Sequence, residues 1–90
     1  MEFQTNFKIL NLQEIKRKNA DKLPEGEKTF FKVNLLDNQN NPCSFMVFKK
    51  EHIDKIKNLK LVSLQDVIIN FRLIYNNNLW NVNFIDIDVR

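Results

Sequence analysis

Between Thr29 and Phe48 the chain reads TFFKVNLLD, then NQNN, then PCSFMVF, and no other stretch restricts the possible folds as strongly. In the first run Phe31, Val33 and Leu35 alternate with Phe30, Lys32 and Asn34. This is the period of two that sends successive side chains of an extended strand to opposite faces. The residues between the runs are turn formers, and Pro42 opens a second run of β-favouring residues, so an antiparallel hairpin is predicted. Matching the apolar parities sets its register: Leu35 with Cys43, Val33 with Phe45 and Phe31 with Val47. The other face of that hairpin then carries Phe30, Lys32, Asn34, Ser44, Met46 and Phe48.

The flanking segments follow related patterns. In FKILNLQEIKRK, Phe7 to Lys18, the alternation is broken: Phe7 and Ile9 share one parity, Leu10 and Leu12 the other, and Ile15 returns to the first. A long strand that bends or carries bulges is predicted, with a helix as the alternative. In NADKLPEGEK, Pro24 and the single glycine, Gly26, interrupt regular structure among charges, which marks a loop. After the hairpin the period changes. In KKEHIDKIKNLKL, Ile53, Ile56 and Leu59 recur every third position among charged residues, predicting one short amphipathic helix. Glu51 and Lys55 stand in the order that favours an ion pair worth about 0.2–0.5 kcal/mol. Val67, Ile69, Phe71, Leu73 and Tyr75 mark a strand over Asp66 to Tyr75, and a last strand is predicted over Leu79 to Val89. The Asn76-Asn77-Asn78 turn between them uses residues that tolerate left-handed backbone. Trp80, Val82 and Phe84 share one parity and Ile85, Ile87 and Val89 the other, which predicts a bulge near Phe84.

Composition narrows the class. A chain of 90 residues buries only about 60% of its unfolded surface and fills one core, so a single domain is expected. Its 43% hydrophobic content is enough for that core and excludes wholesale disorder. The net charge of +3 is compatible with a polyanionic partner without requiring one. The start, MEFQTNFKIL, lacks the basic and apolar regions of a signal peptide, and no run approaches the ~18 apolar residues of a membrane span. A cytoplasmic, non-membrane protein is expected.

The residues do not assemble an evident catalytic centre. His52, the sole histidine, lies on the Lys-rich helix, and Cys43, the sole cysteine, is expected to point into the core with no metal-ligating neighbour at suitable spacing. No glycine loop cradles a phosphate. Asp86 and Asp88 share a strand face and could touch a metal, but such a pair is more often simply solvated. No enzyme activity, metal or cofactor is expected.

A bent first strand, a charged loop, a hairpin, a helix and a second hairpin, in that order over residues 1–90, resembles the oligonucleotide/oligosaccharide-binding (OB) fold. The run FKVNLLDNQNNPCSFMVF is similar to the central hairpin of such domains. The resemblance implies a mostly β, five-stranded Greek-key barrel with one short helix between strands three and four. It further implies that single-stranded DNA or RNA lies across strands two and three, flanked by the loops after strands one and four. The positions so implicated are Phe30, Lys32, Asn34, Met46 and Phe48 on the strands, Lys16, Arg17 and Lys18 at the first loop, and Arg72 and Trp80, with Tyr75, near the second. An aromatic there would stack on a base for about 1–3 kcal/mol while a lysine followed a phosphate.

The same residues also have plainer readings. Phe30 and Phe48 would be covered by the N-terminal segment or the helix. The basic run, interleaved with Glu14, Asp21, Glu25 and Glu27, would be a solvated loop. Arg72 would pair with Asp86 or Asp88. The chain lacks both the glycine-rich, acidic-tipped tail of bacterial single-strand-binding proteins and the aromatic motifs of cold-shock domains. It is similar in size to replication accessory proteins of phages, plasmids and other mobile elements, which implies a polymerase, primase or helicase as partner. The competing expectation is a protein-interaction module, such as a mobile-element or phage inhibitor or an assembly subunit, docking through Phe30, Met46 and Phe48.

Overall fold

The hairpin forms in the predicted register. In a computed structural model that describes residues 1–90, Gly26 by its backbone alone, β2 (Thr29–Leu36) and β3 (Pro42–Val47) are antiparallel, with Phe31 opposite Val47, Val33 opposite Phe45 and Leu35 opposite Cys43. Ahead of them β1 spans Glu2–Lys16, starting well before the expected Phe7 and ending short of Lys18. Its early start has a tertiary cause. Residues Glu2 to Lys8 pair with Arg72 to Asp66 of β4 (Asp66–Asn76), so a neighbouring strand defines a segment whose own alternation is weak.

The expected irregularity in β1 falls at Leu10. Ile9 pairs with Leu35 and Asn11 with Asn34, leaving Leu10 as the extra residue of a bulge. The bulge reconciles the mixed parities: Phe7 and Ile9 before it and Leu12 after it all reach the core, while Ile15 lies opposite Phe30. β5 (Leu79–Val89) pairs with β4, and there Asn70 faces Asp86 while Phe71 faces Phe84. Ile85 is therefore the bulged residue, next to the expected Phe84. Asn77 and Asn78 turn the chain at φ 50° and 64°, the left-handed pair that a two-residue hairpin loop requires.

The charged segment read as a loop winds through two single 3-10 turns, Ala20–Lys22 and Glu25–Glu27, with Ala20 buried. The helix, α1, covers Lys50–Leu59 and stops where Lys60 adopts a left-handed conformation (φ 50°, ψ 51°). Ile53 and Ile56 are buried on the core side and Leu59 packs beside them. Lys55 does not pair with Glu51. Its Nζ lies 2.6 Å from Asp86 Oδ1 and 3.2 Å from Asp88 Oδ1, because α1 packs over the end of β5 and brings two carboxylates within reach.

The strands form one antiparallel sheet in the order β3-β2-β1-β4-β5. Val33, Leu35, Ile56, Val67, Ile69 and Ile87 are fully buried in a single cluster, each contributing about 1.5–3 kcal/mol by leaving water. Phe45 ties the two halves of that cluster together. Its ring lies 5.6 Å from Phe7, 5.2 Å from Phe71 and 6.5 Å from Phe84. The sheet nonetheless stays open, with β3 and β5 as unpaired edges. The architecture is thus mostly β, one open five-stranded antiparallel sheet with one helix between β3 and β4. Among the described residues no helix is long and apolar enough to cross a membrane.

Candidate binding face of the first three strands

The two ladders that β2 shares with β1 and β3 place side chains in cross-strand rows on the face away from the core. One row runs Gln13, Lys32, Met46 and the next Asn11, Asn34, Ser44. At the end nearest α1, Ile15 is opposite Phe30, and the Phe30 and Phe48 rings lie 5.0 Å apart at a tilt of 33°. Phe48 is 51% exposed. Neither the N-terminal segment nor the helix covers it fully: the first turns of α1, at Lys50, Glu51 and Asp54, border the recess beside the ring and leave half of it open.

Charge gathers around this aromatic pair. The Arg17 guanidinium carbon lies 5.3 Å from the centre of the Phe48 ring, a cation–π contact worth about 0.5–1 kcal/mol at an exposed site. The Arg17 Nε is buried and has no hydrogen-bond partner. Among the described residues Lys16, Arg17, Lys18, Lys32 and Lys49 form no ion pair. Two of the interleaved acids are engaged elsewhere: Glu25 with Lys28 at 3.1 Å, and Glu14 as acceptor of the Thr29 hydroxyl at 3.2 Å. Asn34 donates to Asn11 Oδ1 at 2.7 Å and Gln13 Oε1 at 3.1 Å, which fixes its amide on the sheet surface.

Beyond Phe48 the face runs into a groove of about 660 Å³ between the free edges of β3 and β5. Met46, Phe48 and Lys49 form one wall and Val82 to Ile85 the other, with Arg72 and His52 also lining it. Phe48 and Lys49 border a second recess, of about 600 Å³, together with Arg17. Phe48 therefore stands where two concave surfaces meet, and the second recess mixes the cations Arg17, Lys49 and Lys50 with the acids Glu27, Glu51 and Asp54.

The remaining candidates separate from this cluster. Arg72 pairs with neither Asp86 nor Asp88. It lies opposite Glu2 in the ladder, 3.6 Å from its carboxylate, whereas the two aspartates are drawn to Lys55. Trp80 is 60% exposed and its ring is 5.1 Å from that of Tyr75, whose hydroxyl donates to Asn78 Oδ1 at 3.3 Å. Both aromatics share the parity of Phe71 and Phe84, which belong to the core side, so they project from the end of the β4-β5 ribbon and not from the β1-β2-β3 face. Lys49, Gln13 and Ile15 are site residues that the pattern reading missed. The parity of the last two was legible only once the Leu10 bulge was located.

The groups with chemical potential elsewhere are structurally committed. Burial, helped by the nearby Asp37 charge, pushes the half-buried Cys43 thiol up. Burial also raises the Asp86 carboxyl, but hydrogen bonds from Lys55 and the Ile87 N–H, with the charges of Lys55 and His52, outweigh it and hold the group below its ordinary value. The Asp86 hydrogen bond in turn raises Lys55. His52 sits 5.1 Å from the Phe84 ring, edge on. Among the described residues no cluster of His, Cys, Asp and Glu is arranged to hold a metal. No family model, curated protein or solved structure matches this chain, so the site is interpreted from its own geometry.

Proposed function

We propose that the protein binds single-stranded nucleic acid, without catalysis, along the outer face of β1, β2 and β3. The observation that carries this reading is the half-exposed Phe48 ring, braced by Phe30 and flanked by Arg17, with Arg17, Lys32 and Lys49 in no ion pair among the described residues. A braced aromatic presents a flat surface on which any base can stack, and neighbouring cations neutralise the phosphates on either side. The strand would pass over Lys32 and Met46, stack on Phe48 and continue into the groove beside Lys49 and Arg72. Such contacts read no base edges, so little sequence preference is expected.

We also interpret the open sheet as a Greek-key barrel of the OB kind, a class that is commonly only partly open. The order β3-β2-β1-β4-β5 becomes cyclic if β3 meets β5 from Phe84 onward, and the Phe45–Phe84 approach supports closure there, with Leu79 to Asn83 left outside it. An accessory role beside a replication polymerase, primase or helicase fits a binding domain of this size.

Fluorescence-anisotropy titration against labelled oligo-dT at low and moderate salt, with duplex DNA as competitor, tests the binding. Salt-sensitive preference for the single strand is the expected result. Absence of binding at low salt would overturn the reading and leave a protein-docking role for Phe30, Met46 and Phe48, one that salt should barely affect.

A further inference from the structure

The two open edges of the sheet are unequal. β3 has only 6 residues and begins with Pro42, two of the devices by which edge strands avoid pairing with other chains. β5 runs for 11 residues. Its stretch from Leu79 to Ile85, LWNVNFI, contains no charge, proline or glycine. The ribbon it belongs to is also bare. β1 covers β4 only as far as the hydrogen bonds between Met1 and Leu73. Past that point Tyr75 faces Trp80, and Ile74 faces Asn81, with no third strand beside them. Leu79, Trp80 and Val82 are all more than half exposed.

From this we infer that the free edge of β5 pairs antiparallel with the same edge of a second copy, about a two-fold axis at Asn81. The uncharged run about Asn81 can face itself, which selects a second copy, and the distribution of charge sets that copy antiparallel. The acids of the strand, Asp86 and Asp88, both lie past the Ile85 bulge, toward the C-terminal end, where Lys55 holds them. An antiparallel copy keeps them clear of each other, whereas a parallel one would set acid against acid. Centred on Asn81, Trp80 of one copy lies opposite Val82 of the other and Leu79 opposite Asn83. Opposed residues share a face, so Tyr75, Trp80 and Val82 of the two copies merge into one apolar cluster on the side where both helices lie. The same surface serves both partners, as a closed two-fold dimer requires.

Sedimentation equilibrium of the full chain over a range of concentrations tests this, with Trp80, the only tryptophan, as an internal probe. The expected result is a species of twice the 10.8 kDa chain mass that forms with concentration, with a blue shift of tryptophan emission in parallel. Asn81→Lys sets two cations across the axis and should yield a folded monomer by circular dichroism. Asn81→Asp should do the same, and an equimolar mixture of the two variants should recover the dimer. A wild-type chain that stays monomeric at its highest soluble concentration overturns the inference, including the case in which a strand of another protein occupies this edge. A dimer indifferent to Asn81→Lys overturns it as well. The oligo-dT titration is read through Phe30, Lys32 and Phe48, which lie on β2 and at the end of β3 outside the paired edge. Loss of binding in Phe48→Ala with the dimer intact, or loss of the dimer in Asn81→Lys with Phe48 still binding, therefore separates the two readings.

Discussion

Phe48 follows the last residue of β3 and keeps its outward parity, so it leans on Phe30 without entering a packed layer. Phe48→Ala should therefore leave the thermal midpoint nearly unchanged while weakening oligo-dT binding by about 5- to 150-fold, the equivalent of ~1–3 kcal/mol of stacking. Lys32→Ala should instead flatten the salt dependence, reducing the slope of log affinity against log salt by about 0.7 per lost phosphate contact on a single strand. The Lys55–Asp86 pair makes a different kind of prediction. With Asp86 held low, its stabilisation is complete above the unfolded carboxyl value of about 3.9 and is lost as pH falls through the lower folded value. With Lys55 raised, its share is complete below about 10.4 and is lost as pH rises through the higher folded value. Both side chains are more than a third exposed, so the whole effect should stay within about 1 kcal/mol. Urea titrations of wild type and Asp86→Asn should differ by a constant amount near neutrality and converge in acid; a difference that persists in acid would show that the ion pair is not its source.

At the scale of elements, two bulges and one turn shape the sheet. Leu10 lets β1 present Phe7, Ile9 and Leu12 to one core although they do not share a parity, and it lies two residues past Lys8, where the pairing with β4 ends and that with β2 begins. Ile85 does the same for Phe84 and Ile87 on β5. The β4-β5 turn depends on Asn77 and Asn78 at positive φ, where a residue without a short polar side chain or a bare Cα is penalised by roughly 1–2 kcal/mol. Asn77→Val should lower stability by about that amount and Asn77→Gly should not, as read from denaturant midpoints. Equal midpoints for the two variants would mean that the turn adapts its geometry to the residue.

The whole molecule measures 40 × 36 × 19 Å, flat because one sheet and one helix make only two layers. β1 is its hub, lying between the two hairpins, while β3 and β5 occupy the rims. Native-state hydrogen exchange should follow this plan. Amides of β1 and of β4 from Val67 to Phe71 should be the most protected, and those of Leu79 to Asn83 the least protected of the strand residues at concentrations where the chain is monomeric. Uniform protection across the five strands would indicate that the edges are closed in solution, by β3-β5 pairing or by another chain.

The sequence by itself determined what depends on neighbours along the chain: the kind and order of elements, the β2-β3 register, the position of α1, an irregularity somewhere in β1 and a bulge near Phe84. All of these follow from parity and period, which a short window already contains. Only the tertiary structure decided where β1 begins, since Glu2 to Thr5 gain their strand partners from β4. It also decided that Lys55 takes Asp86 rather than Glu51, that Arg72 takes Glu2, that Phe48 is bare, and that Trp80 points away from the β1-β2-β3 face. The open edges belong to the same group. Whether β3 meets β5 depends on how far twist and two bulges bend the sheet, a sum of small rotations across all five strands that no local pattern records.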